Sequence, residues 1–232
     1  MFKKISHVLA LAVCFVFTTV AAHAATLVAH VELKSPVHPA HMINTAADPY
    51  CNTVHKTDKL MTEDQMANPN GTMGNTFVFI SEGVTGNYAP PKTPVVLDQQ
   101  GCHYVPHAFG VMAGQPIVIK NNDATLHNIH PLPKVNTPFN IGMPMKGMTQ
   151  TRVFPKPEMP FHIKCDVHPW MSGFVGVFAN PFFGVSNDKG IVEIDNLPAG
   201  TYTVESWHER LGPKFQKVTV GGSDRKEVTF TY

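Results

Sequence analysis

The sequence predicts an all-β protein, and three observations carry that expectation. Short runs of β-branched and aromatic residues recur along the chain, from TLVAHVEL at 26–33 to Glu227–Thr231 at the end. Twenty prolines and 17 glycines punctuate them. No stretch sustains the apolar repeat of three and four residues that marks an amphipathic helix.

Taken in order, Thr26–Leu33 and Asn75–Ser81 (NTFVFIS) are the first two predicted strands. Residues 34–73 between them are irregular, with one short helix predicted near Thr62–Ala67. Residues 83–94 (GVTGNYAPPKTP) have the composition of a linker. Strands then come densely at Val95–Leu97, Ala108–Met112, Pro116–Asn121, Thr151–Phe154, Phe161–Cys165 and Phe174–Phe178. In Phe161–Cys165 (FHIKC) a period of two places Phe161, Ile163 and Cys165 on one face and His162 and Lys164 on the other. The last fifty residues open with a turn signal, Asn187-Asp188-Lys189-Gly190. Strands at Ile191–Ile194, Thr201–Ser206, Gln216–Val220 and Glu227–Thr231 follow.

The N-terminus reads as a targeting segment. Lys3 and Lys4 precede an apolar run from Val8 to Val20, and Ala22-His23-Ala24 is a small-residue cleavage pattern. This is a secretory signal peptide over residues 1–24, its apolar run being too short to span a bilayer comfortably. The expectation is an exported, periplasmic protein with no membrane span after cleavage. Two of the 18 basic residues lie in that segment, leaving a near balance against 17 acidic ones. No basic face is suggested, so nucleic acid is not an expected partner.

Cysteine usage narrows the chemistry. Of four cysteines, Cys14 lies in the targeting segment, leaving Cys51, Cys102 and Cys165. An odd number in an oxidising compartment leaves one thiol without a partner in the chain. Cys165 alone has metal-ligand neighbours, so the economical pairing is a Cys51–Cys102 disulfide.

Those neighbours are the decisive segment. Cys165-Asp166-Val167-His168-Pro169-Trp170-Met171 places a thiol, an imidazole and a thioether on one short loop between strands. His127, in Leu126-His127-Asn128-Ile129-His130, lies just beyond the strand Pro116–Asn121. Two imidazoles, a thiolate and a weak axial thioether form the trigonal-plus-axial donor set that suits copper in both oxidation states. Zinc could occupy the same ligands, but three strong donors with a methionine suit copper better. Pro169 and Trp170 would stiffen the loop and shield the metal.

This pattern resembles the cupredoxins. His-Asn-Ile-His followed by Cys-x-x-His-x-x-Met is similar to the amicyanin and plastocyanin signature, and Asn121-Asn122-Asp123 before the first histidine adds to the likeness, which covers about residues 95–180. The resemblance implies a Greek-key β-sandwich and one copper ion held by His127, Cys165, His168 and Met171. It also implies that Asn128 ties the two ligand-bearing loops together, and that the edge of His168 is the electron port, ringed by apolar residues.

Other residues are weighed beside these. His130 is expected to face outward or support the ligands from behind. His103 and His107 are expected at the surface or in hydrogen bonds, and His162 pointing away from Cys165. Met143, Met145 and Met148 form a cluster that could load a second copper, or cover the copper end as a flexible apolar loop.

The C-terminal run is different. Ile191-Val192-Glu193-Ile194, then Leu197-Pro198-Ala199-Gly200-Thr201-Tyr202-Thr203-Val204, resembles the carboxypeptidase regulatory-like, transthyretin-like domain, a small β-sandwich. Its opening strands are missing after residue 180, and Thr26–Leu33 and Asn75–Ser81 could supply them. Trp207 and His208 are expected to be structural. The expected organisation is a signal peptide (1–24), an N-terminal segment pairing with the C-terminal sandwich (25–92), a cupredoxin domain (93–180) and the second sandwich (181–232).

The expected function is that of a blue-copper protein passing single electrons to a redox protein partner, not an enzyme. A copper carrier or scavenger, a catalytic mononuclear copper enzyme and an interaction protein with a vestigial site are the competing readings. No Ser-His-Asp set, carboxylate pair or phosphate loop supports other catalysis.

Overall fold

The computed structural model describes residues 24–34 and 39–232. The expected signal peptide, apart from Ala24, lies outside the described residues, and Cys14 with it. Among the described residues sixteen strands form four sheets, with one short helix outside them, and no helix there is long and apolar enough to cross a membrane.

Two sheets form the central sandwich. One contains β3 (Val95–Gln99), β4 (Tyr104–Val105), β6 (Pro116–Asn121) and β9 (Met148–Val153), in the order β4-β3-β6-β9. The other contains β5 (Ala108–Met112), β7 (His127–Pro131), β8 (Ile141–Met143), β10 (Glu158–Lys164) and β11 (Ser172–Phe178), in the order β5-β11-β10-β7-β8. Between them lies one apolar core that includes Leu97, Ile119, Ile129, Phe161, Ile163 and Val175. Alternation places these side chains there: β6 alternates half-buried and buried residues along its whole length.

The other two sheets draw on both ends of the chain. β1 (Ala25–Glu32) lies between β13 (Ile191–Leu197), which it meets antiparallel, and β16 (Arg225–Thr231), which it meets parallel. β2 (Phe77–Glu82) lies between β12 (Phe183–Val185) and β14 (Gly200–His208), and β14 pairs in turn with β15 (Gly212–Val220). Leu27, Val31, Val78, Ile194, Val204 and Phe230 fill this second core.

Aromatic rings join the two sandwiches. Phe77, Phe79 and Phe183 from the second meet Ala108, Phe174 and Phe178 from the first, with Trp207 against them. Ring centroids are 4.8 Å apart for Phe79–Phe178 and 5.6 Å for Phe174–Trp207. Gly110 makes room for this packing: a Cβ there would lie 2.6 Å from the Phe183 ring.

Two sequence expectations need correction. Thr62–Ala67 is not helical; Met61 just before it and Ala67 at its end make isolated bridges to Met42 and Met73 instead. The helix is α1 (Pro49–Val54), started by Asp48, whose carboxylate accepts from Cys51 N at 2.9 Å, and by Pro49 at the first helical position. The strands β4, β7, β8 and β12 were not expected from the sequence. They are short, and β7 (HNIHP) carries polar residues that break the apolar alternation.

Candidate metal centre

β7 begins at His127, and β10 ends at Lys164, immediately before Cys165. Because Cys165 continues the buried phase set by Phe161 and Ile163, its thiol points into the core. The chain then closes a tight loop: Met171 N donates to His168 O at 2.9 Å and Cys165 N to Met171 O at 3.2 Å. The loop thereby turns His168 back beside Cys165, and Met171 is buried in the same core as Cys165.

The structure brings together His127, Cys165 and His168, all buried, with one donor atom of each within 4.8 Å of the others. The Nδ1 atoms of His127 and His168 lie 2.9 Å apart, and Cys165 Sγ is 3.8 Å from His168 Nδ1. Burial opposes ionisation of the thiol. Hydrogen bonding with both imidazoles and with the N–H groups of Asn128 and His168 outweighs it and lowers the thiol to about 6. Two imidazole nitrogens and a readily ionised thiol facing one point, with a methionine on the same loop, fit copper by donor chemistry.

Both outer imidazole nitrogens are held by carboxylates. His127 Nε2 is 2.8 Å from Asp123 Oδ2, and His168 Nε2 is 3.1 Å from Asp48 Oδ2. Such partners fix the ring orientation and leave Nδ1 free to bind metal. Asp123 also accepts from the N–H groups of Gly101 and Cys102, each at 2.8 Å. Burial opposes ionisation of Asp48, but its bonds from Cys51 N–H, Thr125 and His168 hold it down at about 2.

Asn128 bridges the two loops. Its Oδ1 accepts from Asp166 N at 2.6 Å and lies 3.2 Å from Cys165 Sγ, and its own N–H points at that sulfur at 3.5 Å. Tyr104 supports it from below, donating to Asn128 O at 2.6 Å.

The expected electron port is closed. His168 is 2 % exposed. Its outer edge is covered by Asp48 and by Cys51, whose Sγ lies 3.9 Å from His168 Nε2. Cys51 is joined to Cys102 in a disulfide that pins α1 onto the 100–103 loop. His55 Nε2 pairs with Gly101 O at 2.7 Å and Tyr50 donates to Asp123 at 3.2 Å, reinforcing the cover. The apolar rim is not on this edge: Leu126 and Val167 are exposed beside the ligands instead.

The remaining histidines and methionines are dispersed. His130 Nδ1 is 2.8 Å from Asp166 Oδ2, behind the ligands. His107 is buried and pairs with Glu209 at 2.6 Å, while His103 lies 3.1 Å from Glu63. His162 is near Ser172 Oγ at 2.9 Å. His208 is buried beside Tyr232. Met143 is buried in β8, Met148 half-buried at the start of β9 and Met145 exposed between them.

Sequence reasoning missed Asp48 and Asp123. Asp123 sits four residues before His127, a spacing that could have suggested it. Asp48 is 120 residues from His168 and carries no such signal.

No protein-family model matches the chain, and no curated protein does. Solved structures with a similar fold include a purple cupredoxin from Nitrosopumilus maritimus, 21 % identical, covering 36 % of this chain and 99 % of that one, with a TM-score of 0.32. A point mutant of amicyanin in the Cu(I) state is 21 % identical, covering 42 % of this chain and 100 % of that one, at 0.33. A copper-containing nitrite reductase from Thermus scotoductus SA-01 is 21 % identical, covering 42 % of this chain and 25 % of that one, at 0.34.

Proposed function

We propose that this chain is an exported type 1 copper protein that carries single electrons, with His127, Cys165, His168 and Met171 as ligands. The observation that carries the reading is the convergence of His127 Nδ1, His168 Nδ1 and the lowered Cys165 thiol inside a β-sandwich core. Copper, when bound, would alternate between Cu(II) and Cu(I) and so hold or release one electron. The protein's own part is to keep the donors still. The Asp48 and Asp123 carboxylates fix the imidazoles, Asn128 ties the loops, and the buried site excludes water, so that little reorganises between oxidation states. The second sandwich, which we read as transthyretin-like, braces this unit through the aromatic seam.

Burial of every proposed ligand leaves no solvent-facing side of the site for a substrate, which favours a carrier of electrons over a copper enzyme. Reversible voltammetry of the copper-loaded protein tests this reading. A one-electron wave that persists with a Cu(I) chelator present is the expected result. Copper passing to the chelator on reduction would favour the copper-carrier reading instead.

A further inference from the structure

We infer that Trp170, rather than the imidazole edge of His168, is the group through which electrons enter and leave this site; the inference rests on the electron-carrier reading above. Electron tunnelling falls steeply with distance, so the route is set by which ligand lies closest to the surface through well-packed atoms. All four proposed ligands are buried. The outer nitrogen of His127 faces Asp123, and that of His168 faces Asp48 and the disulfide.

Among the described residues, one surface-reaching aromatic side chain holds its ring near a proposed ligand imidazole. Trp170 lies with its ring centroid 4.9 Å from that of His168. Its Nε1 donates to Cys102 O at 3.1 Å, which fixes the indole in place. Its other side is half-exposed and lines an open cleft of about 230 Å³ with Ile43, Leu60, Met61 and His103. Glu63 and Asp64 also line this cleft, Glu63 facing His103 and Asp64 paired with Arg210. The competing exit is the exposed apolar rim at Leu126 and Val167, which offers no ring contact to either histidine.

The test uses hexaammineruthenium(II), a one-electron reductant that becomes ruthenium(III) as Cu(II) becomes Cu(I). Trp170→Leu removes the ring, and Trp170→Phe keeps one. The expected result is stopped-flow reduction slowed about tenfold by Leu and within about twofold of the parent for Phe. The thiolate-to-copper absorption band is retained in both, and the midpoint potential measured for each variant corrects the rates for driving force. Parental rates in the Leu variant, or equal slowing by Leu and Phe, would overturn the route while leaving the copper site standing. Absence of the band in the parent protein would instead remove the reading beneath it. A second measurement needs no copper: in metal-free Trp207→Phe protein, Trp170 is the sole indole, and iodide is expected to quench its fluorescence. An unquenched indole would show the ring is shut off from partners and would equally overturn the proposal.

Discussion

Asp48 and His168 are 120 residues apart in sequence, yet the Asp48 carboxylate lies 3.1 Å from His168 Nε2. The same carboxylate caps α1 through Cys51 N–H and accepts from Thr125 at 2.7 Å. One side chain therefore starts a helix, anchors it to the loop before His127 and orients a proposed copper ligand. Replacing Asp48 by Ala is expected to cost about 2 kcal/mol of unfolding free energy, above a simple cap loss because two further partners go with it. Asp48→Asn keeps the cap acceptor and is expected to recover part of that loss. Urea unfolding of the two metal-free variants measures both; equal stability of the Ala variant and the parent would remove Asp48 from this role.

The disulfide closes a separation of 51 residues between Cys51 and Cys102. Chain entropy assigns such a closure about 4 kcal/mol. The double Ser variant is expected to lose stability of that order and to show faster amide exchange across Pro49–Val54. Unchanged exchange in α1 would mean that its other contacts alone hold the cover down.

Asn128 is expected to be the least replaceable residue behind the ligands. Asn128→Ala leaves the N–H of Asp166 without its 2.6 Å acceptor and loosens the Cys165 loop against β7. A loss of about 1–3 kcal/mol follows from the unsatisfied donor, together with a displaced thiolate-to-copper band. Thermal unfolding and the visible spectrum check the two effects separately.

Glu205 supplies a pH signature away from the metal. Burial in β14 raises its carboxyl to about 7, so the folded chain holds this proton more tightly than the unfolded chain does. The stability it contributes is complete below about pH 4.5 and is lost as pH rises through about 7. Glu205→Gln is expected to be more stable than the parent by about 1–2 kcal/mol at pH 8 and indistinguishable from it at pH 4. A difference independent of pH would show that the effect is packing rather than ionisation.

What the sequence made legible follows from how local each interaction is. The strand at 116–121 could be read because its alternation is complete within one segment. The Cys165–Met171 loop could be read because three donor types fall within seven residues. The helix was misplaced because its start signal, Asp48-Pro49, precedes only six helical residues with no apolar period. The cover over His168 was illegible for a different reason: Asp48 and Cys51 reach the site through contacts between residues distant in sequence, which leave no spacing pattern.

The central claim is that Cys165 binds copper as a thiolate beside His127 and His168. Visible absorption of the purified protein after adding Cu(II), beside Cys165→Ala, tests it most directly. An intense thiolate-to-copper charge-transfer band in the parent, absent from the variant, is the predicted result. Copper bound equally by both proteins without that band would contradict the claim and place the metal on other histidine and methionine residues.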